Sequence, residues 1–171
     1  MPLLPKLILP LLCCSLLSSA AFALDPACEP ILQASEKRIS QARWKTETVL
    51  RDESKIEAIK VNNTFYSSRD GKWAKVAANL DEQESKFVAQ LRSGAIVISN
   101  CKAEEDEKQD GVDVSVISMH LKAPGDGGAA LDAKLYIGKQ DGLPYLQTSS
   151  NTKTTYRYKN VFAPRLSKRL D

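Results

Sequence analysis

His120 is the only histidine in the 171-residue sequence, and imidazole is the side chain most often used as a general base near neutral pH. A Ser-His-Asp hydrolase would have to use this residue, but the sequence has no G-x-S-x-G motif to present a serine nucleophile. A histidine on one face of a strand is the simpler interpretation. An enzyme built on His120 remains an alternative only if a carboxylate and a hydroxyl converge on its ring in a cleft.

Two segments have the composition of ligand-binding loops. The acidic segment AEEDEKQDG, 103–111, offers the oxygen ligands of calcium, but an EF-hand loop beginning at Asp106 would place Lys108 at a ligand position and Ile117 at the bidentate glutamate. The GDGG segment, 125–128, precedes a strand rather than a helix, so it does not have the context of a phosphate loop. We therefore expect no metal site, no cofactor and no catalytic residue.

The first 23 residues have the pattern of an export signal. Lys6 precedes an apolar run that ends at Leu17, and small residues lead to Ala21-Phe22-Ala23, an A-x-A cleavage pattern. The apolar run is too short to span a bilayer. We predict cleavage after Ala23 and a periplasmic or secreted bacterial protein, with a retained amphipathic anchor as the alternative.

Removal of residues 1–23 would leave 148 residues, which is the size of one domain. The remaining chain has 23 basic and 21 acidic side chains, a balance too even to indicate nucleic acid or an acidic substrate. No later segment is apolar enough for stable insertion into a membrane. We predict one domain over residues 24–164, followed by a basic C-terminal tail over residues 165–171.

Cys28 and Cys101 are the two cysteines that would remain after cleavage. Cys13 and Cys14 lie in the signal and lack the small preceding residue of a lipidation motif, so no lipid anchor is expected. Two widely spaced cysteines in an oxidising compartment most often pair. A structural disulfide is the favoured interpretation, with two buried thiols or a redox pair as alternatives.

The hydrophobic periodicity divides the chain into an α+β pattern. A helix is predicted over 26–43 and a second over 79–94, where the apolar residues recur at three-to-four spacing. About three alternating strands separate the helices and about five follow the second, with Asp70-Gly71 and Asp141-Gly142 as hairpin turns. The predicted fold is a curved antiparallel sheet, an unclosed β-barrel, covered on one face by the two helices.

The strand VDVSVISMHL, 112–121, is apolar on both faces. Its valines point to one side, and Ile117, Met119 and Leu121 point to the other. A sheet with one wet face does not need this pattern. Either this is a central strand covered on both sides, or it belongs to a concave apolar surface that receives a lipid or an acylated partner.

Three segments resemble the periplasmic outer-membrane lipoprotein carrier (LolA-like) superfamily. They are FYSSRDGKWAKV (65–76), AKLYIGKQDGLPYLQT (133–148) and TYRYKNVFAP (155–164). In that family a strand ends in a D-G-K turn before an aromatic residue, an I-x-x-x-x-G-L-P hairpin follows, and Y-x-x-V-x-x-P closes the domain. The resemblance implies an unclosed β-barrel under helices, with a cavity for acyl chains.

One family feature is missing from this sequence. The carriers have an Arg-Pro strand before the D-G-K turn, and its arginine helps to hold the helical lid. The corresponding segment SKIEAIKVNN, 54–63, has no such pair, so that role is assigned to no residue. A Cys28–Cys101 bond would also tie the N-terminal helix to the sheet and hinder its opening.

The predicted function is a non-catalytic binding protein with an apolar cavity for lipid or an acylated protein partner. The alternative is an envelope protein-interaction module with a filled core and no small-molecule ligand. The predicted cavity lining consists of large apolar residues drawn from both parts of the sheet and from the second helix: Trp44, Phe65, Tyr66, Trp73, Phe87, Leu91, Met119, Leu135 and Tyr145.

Overall fold

The computed structural model describes residues 24–122 and 130–167. The predicted signal (1–23), the GDGG segment and the last four residues lie outside the described residues, so the predictions made for them stay predictions. A short 3-10 turn, Pro26–Cys28, leads into helix α1, Glu29–Ile39, and helix α2 spans Leu80–Ser93. The ten strands are β1 Arg43–Leu50, β2 Lys55–Val61, β3 Thr64–Arg69, β4 Lys72–Val76, β5 Val97–Ala103, β6 Glu107–Gln109, β7 Val112–Lys122, β8 Leu131–Gly138, β9 Pro144–Ser149 and β10 Thr152–Arg157.

The strands form one antiparallel sheet that is not closed into a barrel. Its order is β4-β3-β2-β1-β10-β9-β8-β7-β5, with β6 also paired to β7. Strands β1 and β10 pair from Lys45 opposite Arg157 to Leu50 opposite Thr152, so the two ends of the domain meet in the middle of the sheet. The predicted α+β fold with a curved, unclosed sheet is confirmed.

The helix ends follow from local capping. Asn79 accepts hydrogen bonds from the backbone N–H groups of Asp81 and Glu82 at the start of α2. Gly94 ends α2 in the left-handed conformation, with φ of 75°. Helix α1 ends at Ile39, four residues earlier than predicted, because pairing of β1 with β2 already begins at Arg43.

The structure has two strands more than predicted, and its last strand ends earlier than predicted. Four strands precede α2, because residues 72–76 after the Asp70-Gly71 turn continue as β4. Six strands follow α2, because Glu107–Gln109, within the predicted acidic loop, pairs with β7. The last strand ends at Arg157 rather than near Pro164. Hydrogen bonding to a neighbour stabilises a short polar strand such as β6, although its sequence has no apolar alternation.

The hairpin turn between β8 and β9 depends on Asp141. Its Oδ1 accepts a hydrogen bond from the Leu143 backbone N–H at 3.0 Å, and its Oδ2 accepts one from the Tyr145 hydroxyl at 2.8 Å. Gly142 has φ of 68°, a conformation that glycine adopts without a steric penalty. The side chain of Asp141 therefore fixes both the turn and the first aromatic residue of β9.

We expect Asp141→Ala to lower the free energy of unfolding by about 1–2 kcal/mol, because two hydrogen bonds to a charged acceptor are lost. Urea unfolding followed by circular dichroism measures this change. Asp113→Ala is the control, since its carboxylate is exposed and makes only a surface contact with Lys108 at 3.4 Å. If Asp141→Ala and the parent chain had the same free energy of unfolding, the structural role of this carboxylate would be contradicted.

The helices cover one face of the sheet, which we call the inner face. Buried residues of α1 and α2 pack there against β5, β7 and β8 in one core; its members are Cys28, Ile31, Leu32, Ala34, Val88, Leu91, Ile96, Ile98, Ile117, Met119, Ala133, Leu135 and Ile137. In β7, Val114 and Val116 on the opposite face are also buried. The middle of β7 is thus covered on both sides.

Residues 158–167, which we call the C-terminal strap, run from β10 to the far edge of the sheet. Arg43, at the start of β1, donates a hydrogen bond to the Val161 carbonyl. At the other end, Ser167 exchanges hydrogen bonds with the backbone of Trp73 in the edge strand β4. These contacts lie on either side of β2 and β3, and from the burial of the outer face we infer that the strap passes over it.

Burial on the outer face agrees with this course of the strap. Alternation along β2 places Ile59 on the face opposite Lys60, whose ammonium group contacts the helices. Ile59 is nevertheless 5% exposed, and Ser68, which lies on the same face of β3 opposite Glu57, is 2% exposed. The strap is therefore part of the folded domain at least as far as Ser167.

Candidate functional site

The space between the helices and the inner face is small. Its volume is about 90 Å³, and its walls come from α1, α2 and strands β5, β7, β8, β9 and β10. The lining residues are Ile31, Ser35, Arg38, Glu84, Phe87, Leu91, Ile98, Met119, Leu121, Leu135, Pro144, Gln147 and Tyr156. Binding pockets for small molecules usually enclose about 300–1,000 Å³. This inner cavity is too small for an acyl chain unless the helices move.

Ion pairs hold α2 in place over the inner face. Arg38 of α1 binds Glu84 of α2 at 2.9 Å, with its guanidinium 4.9 Å from the centre of the Trp44 ring. Lys60 of β2 contacts Asp81 at 2.5 Å and also donates to the carbonyl of Ile39, at the end of α1. Because buried charges are stable only when paired, these contacts fix the first turn and the middle of α2.

A second set of contacts joins the outer sides of the two helices. Arg92, in the last turn of α2, contacts Glu29 at 3.2 Å and Glu36 at 2.9 Å, both on α1. These groups are exposed to solvent, so each pair contributes little by itself. Only Val88 and Leu91 of α2 are buried. Helix α2 is therefore less firmly attached than α1, which is tied to the sheet by a disulfide.

Cys28 and Cys101 form that disulfide, which confirms the predicted pairing. The bond links the residue before α1 to the middle of β5 and spans 73 positions of the sequence. Such bonds persist in oxidising compartments and are rare in the cytosol. The disulfide therefore fits an extracytoplasmic location.

A polar pair lies inside the inner cavity. The hydroxyl of Tyr156 donates a hydrogen bond to the side-chain oxygen of Gln147 at 3.1 Å. Burial raises the pKa of Tyr156 to about 12; nearby Arg38 favours the phenolate and Glu84 opposes it. The phenol is thus neutral over the physiological range, and the cavity has a polar wall opposite its apolar one.

The nine predicted lining residues separate into three groups in the structure. Phe87, Leu91, Met119 and Leu135 meet around the inner cavity. Trp44 and Phe65 are buried on the inner face with ring centroids 6.4 Å apart, but they do not line the cavity. The other three lie elsewhere: Tyr66 and Trp73 are on the outer face and Tyr145 borders a surface groove.

Sequence reasoning missed the polar side of the cavity. Arg38 and Glu84 were not among the predicted lining residues, although each lies at helical spacing from apolar residues of its helix. Gln147 is itself polar, and Tyr156 lies between polar residues of β10, so neither gave a signal of burial. A buried charge pair between two helices depends on how the helices cross, which no local pattern contains.

A larger concave surface, which we call the aromatic groove, lies at one end of the sheet. Its volume is about 600 Å³, and it is formed by the β6–β7 turn, the β8–β9 hairpin and the end of β10. Its lining residues are Asp110, Val112, Asp141, Leu143, Tyr145, Tyr156, Arg157, Tyr158 and Lys159. The opening is wide enough for side chains of another protein.

Two tyrosines give the aromatic groove a rigid wall. Tyr145 and Tyr158 pack edge to face with ring centroids 5.7 Å apart. The Tyr145 hydroxyl donates a hydrogen bond to the Asp141 carboxylate, and the Tyr158 hydroxyl donates one to the Pro144 carbonyl at 2.7 Å. Burial, followed by the hydrogen bond to Asp141, raises the pKa of Tyr145 to about 12, and burial raises the pKa of Tyr158 further. Both rings are neutral and fixed in orientation.

His120 lies on the outer face of β7, away from both concavities. Its Nδ1 contacts the Asp132 carboxylate on β8, so one condition for a histidine-based catalyst is met. Two hydroxyls in the shallow groove beside His120 bond elsewhere: Ser118 donates to Glu104, and the hydroxyls of Ser149 and Thr152 share a hydrogen bond. Within residues 24–122 and 130–167, no hydroxyl hydrogen-bonds to His120 and no metal-binding cluster is found.

No helix in the described part of the chain combines the length and the hydrophobicity needed to cross a bilayer.

Comparison with known proteins identifies the fold. No family model matches the chain, and no curated protein matches it. The lipoprotein LppX from Mycobacterium tuberculosis is similar in structure, with a TM-score of 0.53, 13% sequence identity, and coverage of 81% of this chain and 98% of LppX. The chain thus has an LppX-like fold.

Two structures of MucB are also similar at lower scores. MucB in complex with MucA(peri) gives a TM-score of 0.41 and 13% identity, covering 76% of this chain and 53% of MucB. MucB without its partner gives 0.43 and 10%, covering 80% of this chain and 60% of MucB. The chain therefore spans little more than half of the MucB structures.

Proposed function

We propose that this chain is a non-catalytic, extracytoplasmic binding protein whose partner is another protein, held at the aromatic groove. The observation that carries the proposal is the filled interior: about 90 Å³ remains beneath the helices, whereas the groove outside offers about 600 Å³. In this respect the alternative of a filled protein-interaction module is better supported than an open lipid cavity. Export with cleavage after Ala23 and a distant relationship to the lipoprotein carriers are part of the same proposal.

The chemistry of the aromatic groove supports a protein partner. Tyrosine and arginine are enriched among the residues that dominate the energy of protein interfaces. Tyr145 and Tyr158 are held by hydrogen bonds before any partner binds, so little side-chain entropy is lost on association. Arg157 is exposed at the rim and can pair with a carboxylate of the partner.

A lipid or acylated ligand is the second candidate, and one observation favours it. The apolar wall formed by Phe87, Leu91, Met119 and Leu135 lies directly beneath α2, which is joined to the rest of the domain by ion pairs and two buried side chains. Displacement of α2 would enlarge this space. In this proposal the ligand enters under α2, because the disulfide holds α1.

Two measurements on the mature chain distinguish these candidates. In native mass spectrometry without detergent we expect the bare protein mass, because the interior has no room for a lipid. A photo-crosslinking amino acid at position Arg157 should capture a discrete protein in the envelope. The same group at position Lys86, exposed on α2 and away from the groove, is the matched control.

The opposite results decide for the other candidate. A copurifying mass that is released as lipid on denaturation, with equal crosslinking from both positions, would exclude the groove and favour binding beneath α2. In that case Leu91→Trp, which fills the inner cavity, should abolish the lipid adduct. Val97→Trp, on the exposed edge of the sheet, should retain it.

A further inference from the structure

The C-terminal strap exposes two large apolar side chains to solvent. Phe162 is 68% exposed and Leu166 is 48% exposed, and they are two of the four exposed large hydrophobic residues in the described part of the chain. Between them Pro164 is partly buried, and Val161 before them is 6% exposed. Ala163 and Arg165 are exposed as well. The strap is therefore buried at Val161 and partly at Pro164, and it leaves Phe162 and Leu166 in solvent as an apolar stripe.

Cations surround this stripe. Lys159 and Arg165 of the strap are exposed, and no Asp or Glu occurs in the sequence from Lys153 to Leu170. The charge of this segment contrasts with the even balance of the whole chain. Basic residues interspersed with exposed apolar side chains are typical of segments that bind anionic membrane surfaces.

The sheet beneath the strap adds little negative charge. On the outer face of the strands that the strap crosses, Glu57 pairs with Lys45 at 2.5 Å and Glu47 lies 3.6 Å from Lys55. Lys75 of β4 is exposed on the same face, near the end of the strap. These two carboxylates are therefore paired, while Lys75, Lys159 and Arg165 add exposed positive charge to this surface.

The strap is held by contacts that leave its outer side free. Its attachments are the hydrogen bond from the Tyr158 hydroxyl to the Pro144 carbonyl, the one from Arg43 to the Val161 carbonyl, and the exchange of hydrogen bonds between Ser167 and Trp73. None of them uses the side chains of Phe162, Arg165 or Leu166. The backbone is therefore fixed while these three side chains, within a span of five residues, stay exposed to solvent.

We propose that the C-terminal strap docks the protein reversibly on an anionic lipid bilayer, with Phe162 and Leu166 entering the interfacial layer and Lys159 and Arg165 contacting lipid phosphates. The number of buried apolar groups is small, so the association is peripheral. Lys159 also borders the aromatic groove, so a protein bound there would compete with the bilayer for this one side chain, whereas Phe162, Arg165 and Leu166 lie outside the groove. It places one face of the domain against a membrane and leaves the helices on the opposite side.

Vesicle cosedimentation of the mature chain tests this proposal. We expect the protein to pellet with vesicles of phosphatidylcholine containing one-third phosphatidylglycerol, to stay in solution with phosphatidylcholine alone, and to be released by salt. Arg165→Gln should weaken binding about fivefold. The double variant Phe162→Ala/Leu166→Ser should weaken it roughly tenfold or more, through loss of interfacial apolar contacts.

Matched controls separate the strap from a general effect of charge or hydrophobicity. Val97→Ser removes an apolar side chain as exposed as Leu166, at the opposite edge of the sheet, and Lys108→Gln removes a distant exposed cation. Both should bind vesicles like the parent chain. Absence of binding by the parent chain, or equal losses in control and strap variants, would overturn the proposal. If the parent chain did not bind vesicles, the partner of the apolar stripe would be a protein instead of a bilayer. Near-ultraviolet circular dichroism identifies any variant that fails to fold.

Discussion

Replacing Cys28 and Cys101 together by alanine is expected to lower the free energy of unfolding by about 4 kcal/mol. The bond closes a loop of 73 positions, and the chain-entropy relation for a loop of this length gives about 4 kcal/mol. Alanine is preferred to serine because Cys28 is completely buried within the core, where a hydroxyl would lack solvent. For a domain of this size the melting temperature should fall by roughly 10 °C.

The reducing agent provides an internal control for this result. Dithiothreitol should shift the urea midpoint of the parent chain to nearly that of the double variant and should leave the variant unchanged. A parent chain with the same midpoint when oxidised and reduced would contradict a stabilising bond. A variant much less stable than the reduced parent would indicate that packing around Cys28, rather than loop closure, carries the effect.

The disulfide also bears on the second functional candidate. In the intact protein α1 is joined covalently to β5, while α2 is joined only by ion pairs and a few apolar contacts. Any enlargement of the inner cavity must therefore come from α2. Reduction of the bond would free both helices, so lipid binding that increased on reduction would place the entry route beneath α1 instead.

Local signals in the sequence were sufficient for the fold class. Asn79 marks the start of α2 and Gly94 its end, and Asp70-Gly71 makes a turn with φ of 51° and 79°. These features could be predicted because the conformations of such residues are set by their immediate neighbours. The alternation of β1 likewise follows from its own residues. The β6 strand was missed because pairing with β7, and not the sequence Glu107–Gln109 itself, makes it a strand.

The candidate sites depended on contacts between distant residues and were harder to predict. Arg38 and Glu84 are 46 positions apart, and Lys60 reaches both helices from β2. The strap has no regular period, and its course is fixed by one hydrogen bond at Val161 and two at Ser167. A count of large apolar residues therefore found part of the cavity wall but neither its polar half nor the outward-facing stripe.

Trp44→Ala should lower the free energy of unfolding by about 3–5 kcal/mol, because it leaves a large cavity at the centre of the inner face. Trp44 is 1% exposed, contacts Phe65, and lies beneath the guanidinium of Arg38. Removal of the ring would also take away the aromatic surface on which that buried cation rests, and this would loosen the Arg38–Glu84 contact with α2. Urea unfolding with a fixed m-value measures the loss.

Trp73→Ala is the matched control, because Trp73 is partly exposed on the edge strand and contacts Lys45 on the outer face. This substitution should lower the free energy of unfolding by only about 1 kcal/mol. Trp44→Phe should cost less than Trp44→Ala, since the indole N–H of Trp44 is buried without a hydrogen-bond partner among the described residues and phenylalanine removes it. Equal losses in Trp44→Ala and Trp73→Ala would show that the inner face is not the stabilising layer of the domain. A loss in Trp44→Phe as large as in Trp44→Ala would contradict an unsatisfied indole N–H at this position.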